Sequence, residues 1–459
     1  MDPLIIVSAD GHGSMPPELW EQYLEPEFHE HLPRLRAENE MYNSTMWVLN
    51  NMVHSEENLD IHDTEGVYRA GKWSGLWDTD VRLEQMDREG VAAEFVFYGD
   101  FRTSDLFNNM MSGTYPPEAM DAGARAYDRW AFDNYGPAGK RLLITGSIGS
   151  GLDRDAIIEE LHWVADHGFV GTYAPGYAKV PGLLPFDDEY WDPVWATYAE
   201  RGLALIVHGG YGFPQGKAMQ HIEHSNEVVA AKGGSDLDLI MELSTLFNSD
   251  FFTDLNCRKA FYQLLMGGVF ERHPDFKVMF TEMRADWIPA TLDHLDTLFA
   301  ERRSELRQNE PPSTYWSSNC MAGLSFMHRS EVDARDEIGV DKMCFGRDYP
   351  HGESTWPNTL DYYKLLFHGV SEEDTRKILG ENVIDFLGLD RAALAEIAAK
   401  IAPSIESITA PGAADEVDPK LVEHLDLRCG VHKPFEGADR LPELDEVLYP
   451  DLERMAGTS

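Results

Sequence analysis

The chain has 459 residues, 43% of them hydrophobic, and a formal net charge of −42. So negative a surface repels nucleic acid and anionic membranes, which excludes both as partners. No apolar run approaches the ~18 residues of a membrane span, and Asp2 and Asp10 bracket too short an apolar stretch for a signal peptide. A soluble, cytoplasmic protein with a small-molecule substrate is expected. Cys257, Cys320, Cys344 and Cys429 are far apart with no C-x-x-C pair, so buried free thiols are expected rather than a disulfide framework or a zinc module.

Along the chain, short apolar runs alternate with amphipathic stretches. Strands are expected at 4–7, 93–98, 142–146, 169–173, 203–207, 277–281, 315–318 and 342–346. Helical patterns lie at 82–89, 117–134, 154–167, 190–201, 258–272, 286–303, 329–338 and 371–387. Eight strands alternating with helices predict an α/β fold, a (β/α)8 TIM-type barrel over residues 1–389. An open, doubly wound sheet is the alternative. Insertions at about 28–80 and 211–256 fall after the first and fifth strands, and so over the C-terminal face of a barrel. Residues 390–459 read as a helix followed by an acidic, proline-rich extension that wraps the barrel or a partner subunit, or is partly disordered.

The strand ends carry the chemistry. Leu4-Ile5-Ile6-Val7 runs into Ser8-Ala9-Asp10-Gly11-His12. Residues i and i+2 of a strand share a face, so Asp10 and His12 point the same way. His208 follows the fifth strand, Glu282 the sixth, and Asp348 and His351 the eighth. In a barrel all these ends open onto one mouth. Mixed imidazole and carboxylate ligands suit one or two divalent ions: zinc, manganese or iron. Asp10, His12, His208, Glu282 and Asp348 are the candidate ligands. Asp348 could also take a proton from bound water, and His208 could stabilise a developing oxyanion.

These marks resemble the amidohydrolase superfamily, and within it the branch that includes aminocarboxymuconate-semialdehyde decarboxylase. Asp10-Gly11-His12 resembles its His-x-His motif. Further support comes from Arg82-Leu83-x-x-Met86-Asp87-x-x-Gly90-Val91, Phe270-Glu271-Arg272-His273-Pro274, Trp287-Ile288-Pro289 and Gly346-Arg347-Asp348-Tyr349-Pro350-His351. The resemblance covers about 4–388 and implies a metal-dependent barrel with Asp10, His12, His208 and Asp348 as metal-site positions. It also implies a dimer or larger homo-oligomer. Three departures stand out. Asp10 replaces the first histidine. No lysine ends strand four, Phe169-Val170-Gly171-Thr172-Tyr173. Glu282, rather than the histidine of the branch's decarboxylases, stands after strand six.

Glu282 has three readings: acid/base, ligand of a second metal, or a partner that orients a ligand histidine. His221 and His224 could complete a second metal position or be exposed helix residues. Arg284 and Arg347 could each hold a substrate carboxylate or form a structural ion pair. His351 and Trp356 are candidate substrate contacts. Trp47, Tyr68, Trp73, Trp77, Tyr211, Phe213 and Trp356 suggest a fairly large apolar or aromatic substrate, or the core of the inserted segments. The first expectation for function is a metal-dependent hydrolase of an amide, ester or lactone, acyl thioester or vinylogous C–C bond. The second is a non-oxidative decarboxylase or hydratase of an aromatic or unsaturated acid. The third is a non-catalytic binding protein on a barrel scaffold.

Overall fold

The computed structural model describes residues 2–40, 43, 54–99, 106–107, 115–175, 182–209, 255–433 and 450–455. Eight parallel strands form the centre. β1 comprises Val7–Ser8 and, beyond an irregularity, His12–Gly13. β2 is Ala93–Tyr98, β3 Leu142–Ser147, β4 Gly171–Tyr173 and β5 Ala204–His208. β6 is Lys277–Thr281, β7 Cys320–Ser325 and β8 Met343–Gly346. Each strand pairs in parallel with the next. The sheet closes because Ala9 N donates to Phe345 O at 2.8 Å and His12 N to Tyr349 O at 2.7 Å. This is a (β/α)8 barrel. Its strands are buried on both faces, which is why they read as continuous apolar runs rather than alternating ones.

The helices start where the sequence supplies caps. The Asp78 carboxylate accepts from Val81 N and opens Thr79–Arg88. Asp153 accepts from Asp155 N and Ala156 N and opens Arg154–Asp166. The expected strand at 315–318 is a correction: Pro312–Asn319 is a helix, with proline in its first turn. The strand comes immediately afterwards, at Cys320–Ser325. Cys-Met-Ala-Gly-Leu-Ser has no β-branched residue, so its local preference is weak, and only its burial between β6 and β8 makes it a strand.

β1 contains a bulge. Ser8 pairs with Glu94 but His12 with Phe97, so four steps on β1 match three on β2. Bulges of this kind re-aim side chains beside active sites. Gly11 sits at the bulge, and a Cβ there would lie 2.6 Å from Arg82 Nη2 and 2.8 Å from the Glu94 carboxyl carbon. Only glycine fits between the two candidate ligands.

Past the barrel, helices Arg391–Ile401, Glu406–Thr409 and Pro419–Arg428 lie against it. Arg428 Nη1 donates to Trp356 O at 3.1 Å, and Cys429 Sγ to Ser354 O at 3.3 Å. Cys320, Cys344 and Cys429 are free and buried. No helix among the described residues is long and apolar enough to cross a membrane.

A histidine stack joins the first insertion to this extension. His62, in the helix Glu56–His62, stacks on His424 with ring centroids 4.4 Å apart, and its Nε2 lies 3.1 Å from His54 Nδ1. Burial, and then the Arg428 guanidinium, holds His62 at about 2 and His424 at about 3. Both rings are therefore neutral in the fold and take up protons only on unfolding. Their stabilisation is complete above the unfolded value of about 6.5 and is lost as pH falls toward the folded values. Urea denaturation is expected to show stability falling below pH ~6.5, by up to ~1.4 kcal/mol per pH unit for each ring. His424→Phe should flatten this acid limb; an unchanged slope would refute the assignment.

Candidate metal centre

The C-terminal strand ends bring seven side chains together. Asp10 and His12 come from the bulged β1, and His208 closes β5. Glu282 follows β6, and Asp348, His351 and Glu353 lie in the loop after β8. His12 Nε2 is 3.4 Å from Asp10 Oδ1 and 3.1 Å from Asp348 Oδ1. His208 Nε2 is 3.7 Å from Asp10 Oδ1. Three sets of ligand atoms each fall within 4.8 Å of one another: Asp10, His12 and His208; His12, Asp348 and His351; and Glu282, Asp348, His351 and Glu353. The carboxylates of Asp10 and Asp348 are wholly buried.

The surroundings prepare these groups as ligands. Ser325 Oγ donates to Asp10 Oδ2 and leaves Oδ1 to face the imidazoles. His208 Nδ1 is 2.8 Å from Gly209 O and 3.1 Å from Glu282 Oε2. A proton on Nδ1 leaves the Nε2 lone pair toward Asp10, the arrangement usual for a metal-bound histidine. Burial, then the neighbouring His351, His208 and Arg82, holds the His12 pKa well below its ordinary value. A metal requires this neutral form. Asp10 Oδ1 and His12 Nε2 are buried with no hydrogen-bond partner, as atoms reserved for a cation would be.

Backbone strain gathers at the same place. Glu282 and Asp348 have φ of 53° and 59°, in the left-handed region that side chains rarely occupy. A Cβ on Gly346 would lie 2.6 Å from Asp10 Cβ, so that glycine lets β8 approach β1. The walls are aromatic. Phe97 lies edge-on to His208 with ring centroids 5.1 Å apart, and Tyr173 lies 5.4 Å from the same ring.

Arg347 points away from this cluster. Its Nε and Nη2 donate to Glu94, and Nη1 donates to Glu89 Oε2 at 2.6 Å. Arg82 Nε donates to Glu94 Oε2 at 2.6 Å, and its Nη1 to His12 O. Of the two readings open for Arg347, these contacts make it a structural ion pair beneath the site. Arg284 is likewise engaged, with His328 Nδ1 at 2.7 Å, the Asp286 carboxylate, and Ser330 Oγ at 3.0 Å. Trp356 is buried, and its Nε1 donates to Gln85 Oε1 at 3.0 Å. His351 does enter the cluster, stacked on His12 with ring centroids 3.8 Å apart. Trp73 and Trp77 pack on each other, and Tyr68 on His54. Trp47, Tyr211, Phe213, His221 and His224 lie outside the described residues.

Three residues that shape the site lie outside the motifs of the sequence: Ser325, Glu353 and Glu94. Ser325 ends a strand, Cys320–Ser325, whose residues carry no local strand preference. Glu353 follows His351 by two residues, and that proximity was the available signal. Glu94 lies inside an apolar strand, where a lone carboxylate needs a buried cation.

The amidohydrolase family model matches residues 10–389. The chain belongs to this family. Among curated proteins, a 2-amino-3-carboxymuconate-6-semialdehyde decarboxylase from Dictyostelium discoideum is 23% identical over 322 residues, 69% of this chain and 78% of the relative. Among solved structures, a 5-carboxyvanillate decarboxylase from Novosphingobium aromaticivorans, complexed with manganese and 4-hydroxy-3-methoxy-5-nitrobenzoic acid, aligns with a TM-score of 0.55 at 15% identity. That alignment covers 84% of this chain and 96% of the relative. A dihydroxybenzoic acid decarboxylase from Polaromonas sp., with bound manganese and 2-nitroresorcinol, aligns with a TM-score of 0.53 at 16% identity, covering 86% and 99%. These likenesses establish the shared barrel. The chain is an enzyme of the amidohydrolase superfamily.

Proposed function

We propose that the protein is a metal-dependent, non-oxidative decarboxylase of an aromatic or unsaturated carboxylic acid. The carrying observation is the buried set Asp10, His12, His208 and Asp348 at one barrel mouth, in a chain whose named relatives are decarboxylases. Two imidazoles with two carboxylates fit manganese, zinc or ferrous iron, and bound manganese in two of the relatives favours manganese. When bound, the ion supplies a Lewis acid that draws electron density from a substrate oxygen.

The chain's own residues do the rest. Phe97 and Tyr173, both buried, pack on His208 and keep water from that side of the cluster. Loss of carbon dioxide breaks a C–C bond and leaves its electron pair on the substrate carbon, which then takes a proton. In this reading Asp348 and His351 deliver it, and the 3.1 Å between His351 Nδ1 and Asp348 Oδ1 supports their acting together. Glu282 keeps His208 oriented through Nδ1.

Hydrolysis is the second reading. It is favoured by Glu282, which stands where the resemblance leads one to expect a histidine. A panel of aromatic and unsaturated acids labelled at the carboxyl carbon separates the two. Labelled carbon dioxide from at least one acid is expected. Release from none, together with turnover of an ester, thioester or amide, overturns decarboxylation.

A further inference from the structure

One buried guanidinium beside the metal centre holds no anion. Arg428 ends the helix Pro419–Arg428 and is only 7% exposed. Its Nη1 donates to Trp356 O at 3.1 Å, but Nε and Nη2 are buried with no hydrogen-bond partner among the described residues. Arg82, Arg347 and Arg284 are buried too, and each holds a carboxylate of the chain. Nε and Nη2 form one edge of a guanidinium. By that edge Arg347 grips both oxygens of Glu94. In Arg428 the same edge is bare, and a buried charge without a counter-charge is costly. It fits a carboxylate brought from outside the chain.

The surroundings add a donor and no negative charge. His424 lies one turn before Arg428, so the two side chains share a helix face. His424 Nε2 is also buried and unpartnered. His62, from the first insertion, stacks on the His424 ring. Burial, and then the Arg428 charge, keeps both imidazoles neutral. A neutral imidazole still has one N–H to give. Burial pushes the Cys429 thiol up to about 11, so it is no counter-charge at neutral pH. The metal centre is close by. Cys429 Sγ donates to Ser354 O, and Ser354 N donates to His351 O at 3.2 Å. One turn of loop therefore joins this wall to His351.

We infer that Arg428 and His424, both from the C-terminal extension, form a binding site for a carboxylate group in the wall between that extension and the first insertion. The Nε–Nη2 edge takes the carboxylate in bidentate fashion, and His424 Nε2 supplies a further donor on the same helix face. The group belongs either to a free small acid or to a remote end of the substrate, and the same donors recognise both. The site uses none of the candidate metal ligands, so it stands apart from the metal-centre reading.

Calorimetric titration of the full-length protein, as purified, tests the site. Sodium acetate and disodium terephthalate are titrated separately at pH 7, with ionic strength held constant by sodium chloride. Wild type is expected to bind at least one of them, and Arg428→Gln to bind it about 10–100-fold more weakly. Terephthalate bound about tenfold tighter than acetate assigns the site to a remote carboxylate of the substrate; similar affinities assign it to a free small acid. No binding of either acid, or the same binding in Arg428→Gln, overturns the inference. Arg428→Lys keeps the charge but loses the fork, and is expected to fall between the two. Should neither variant fold, wild-type crystals soaked with para-bromobenzoate decide. Anomalous bromine signal beside Arg428 is expected, and signal only elsewhere, or none, overturns the site.

Discussion

Asp348→Asn is expected to remove nearly all activity while leaving the fold intact. Asparagine has the same shape, but it carries no charge and cannot pass on a proton. Asp348 touches His12 Nε2 and His351 Nδ1, each at 3.1 Å, and takes part in two of the three ligand sets. One substitution therefore strikes both metal retention and proton delivery. Losing general acid–base help alone lowers rates by about 10²–10⁴-fold. The expected outcome is a fall in kcat/KM of at least this size on an acid that releases carbon dioxide, with reduced metal content and an unchanged circular dichroism spectrum. Full activity with full metal content would remove Asp348 from the site.

The second large effect lies below the site. Glu94 is wholly buried between Arg82 and Arg347. Burial pushes its pKa up, but Arg347 and Arg82 outweigh that and hold it below the usual carboxylate value. Glu94→Gln leaves two buried guanidiniums without their shared anion, and removing one partner of such a pair costs about 3–5 kcal/mol. Urea denaturation at pH 7 is expected to show a loss of this order. Because the folded pKa is depressed, the Glu94 contribution is complete above about pH 4.5 and is lost as pH falls through the folded value. The wild type should therefore weaken at acid pH through this group, and the variant should lack that part of the fall. The same network holds the candidate ligands, since Arg82 donates to His12 O and Arg347 immediately precedes Asp348. Metal affinity is expected to fall about 10–100-fold in the variant, as when a ligand's supporting shell is lost.

How well each part of the protein could be read followed how local its cause was. Ala93–Tyr98 and Lys277–Thr281 are strands over the expected residues, because a buried parallel strand must be a short apolar run. The strand at Cys320–Ser325 has no local signal, because its residues carry no strand preference and its neighbours impose the conformation. Asp10 and His12 were paired by simple alternation, yet the chain brings them to one cluster through a bulge built on Gly11. The likeness of Arg347 to a substrate clamp was chemically sound, but the direction of its side chain is set by Glu94 and Glu89.

The repeating strand-and-helix order, the apolar runs that become the barrel and the residue types at each strand end are all written in the order of residues along the chain. Those depend on near neighbours in the chain. Folding is what brings Ser325 to Asp10, Glu282 to His208, and Glu353 to Asp348 and His351. Those contacts join segments tens to hundreds of residues apart, or depend on the turn of one loop. Barrel closure sets which strand ends face each other, and no local pattern encodes that.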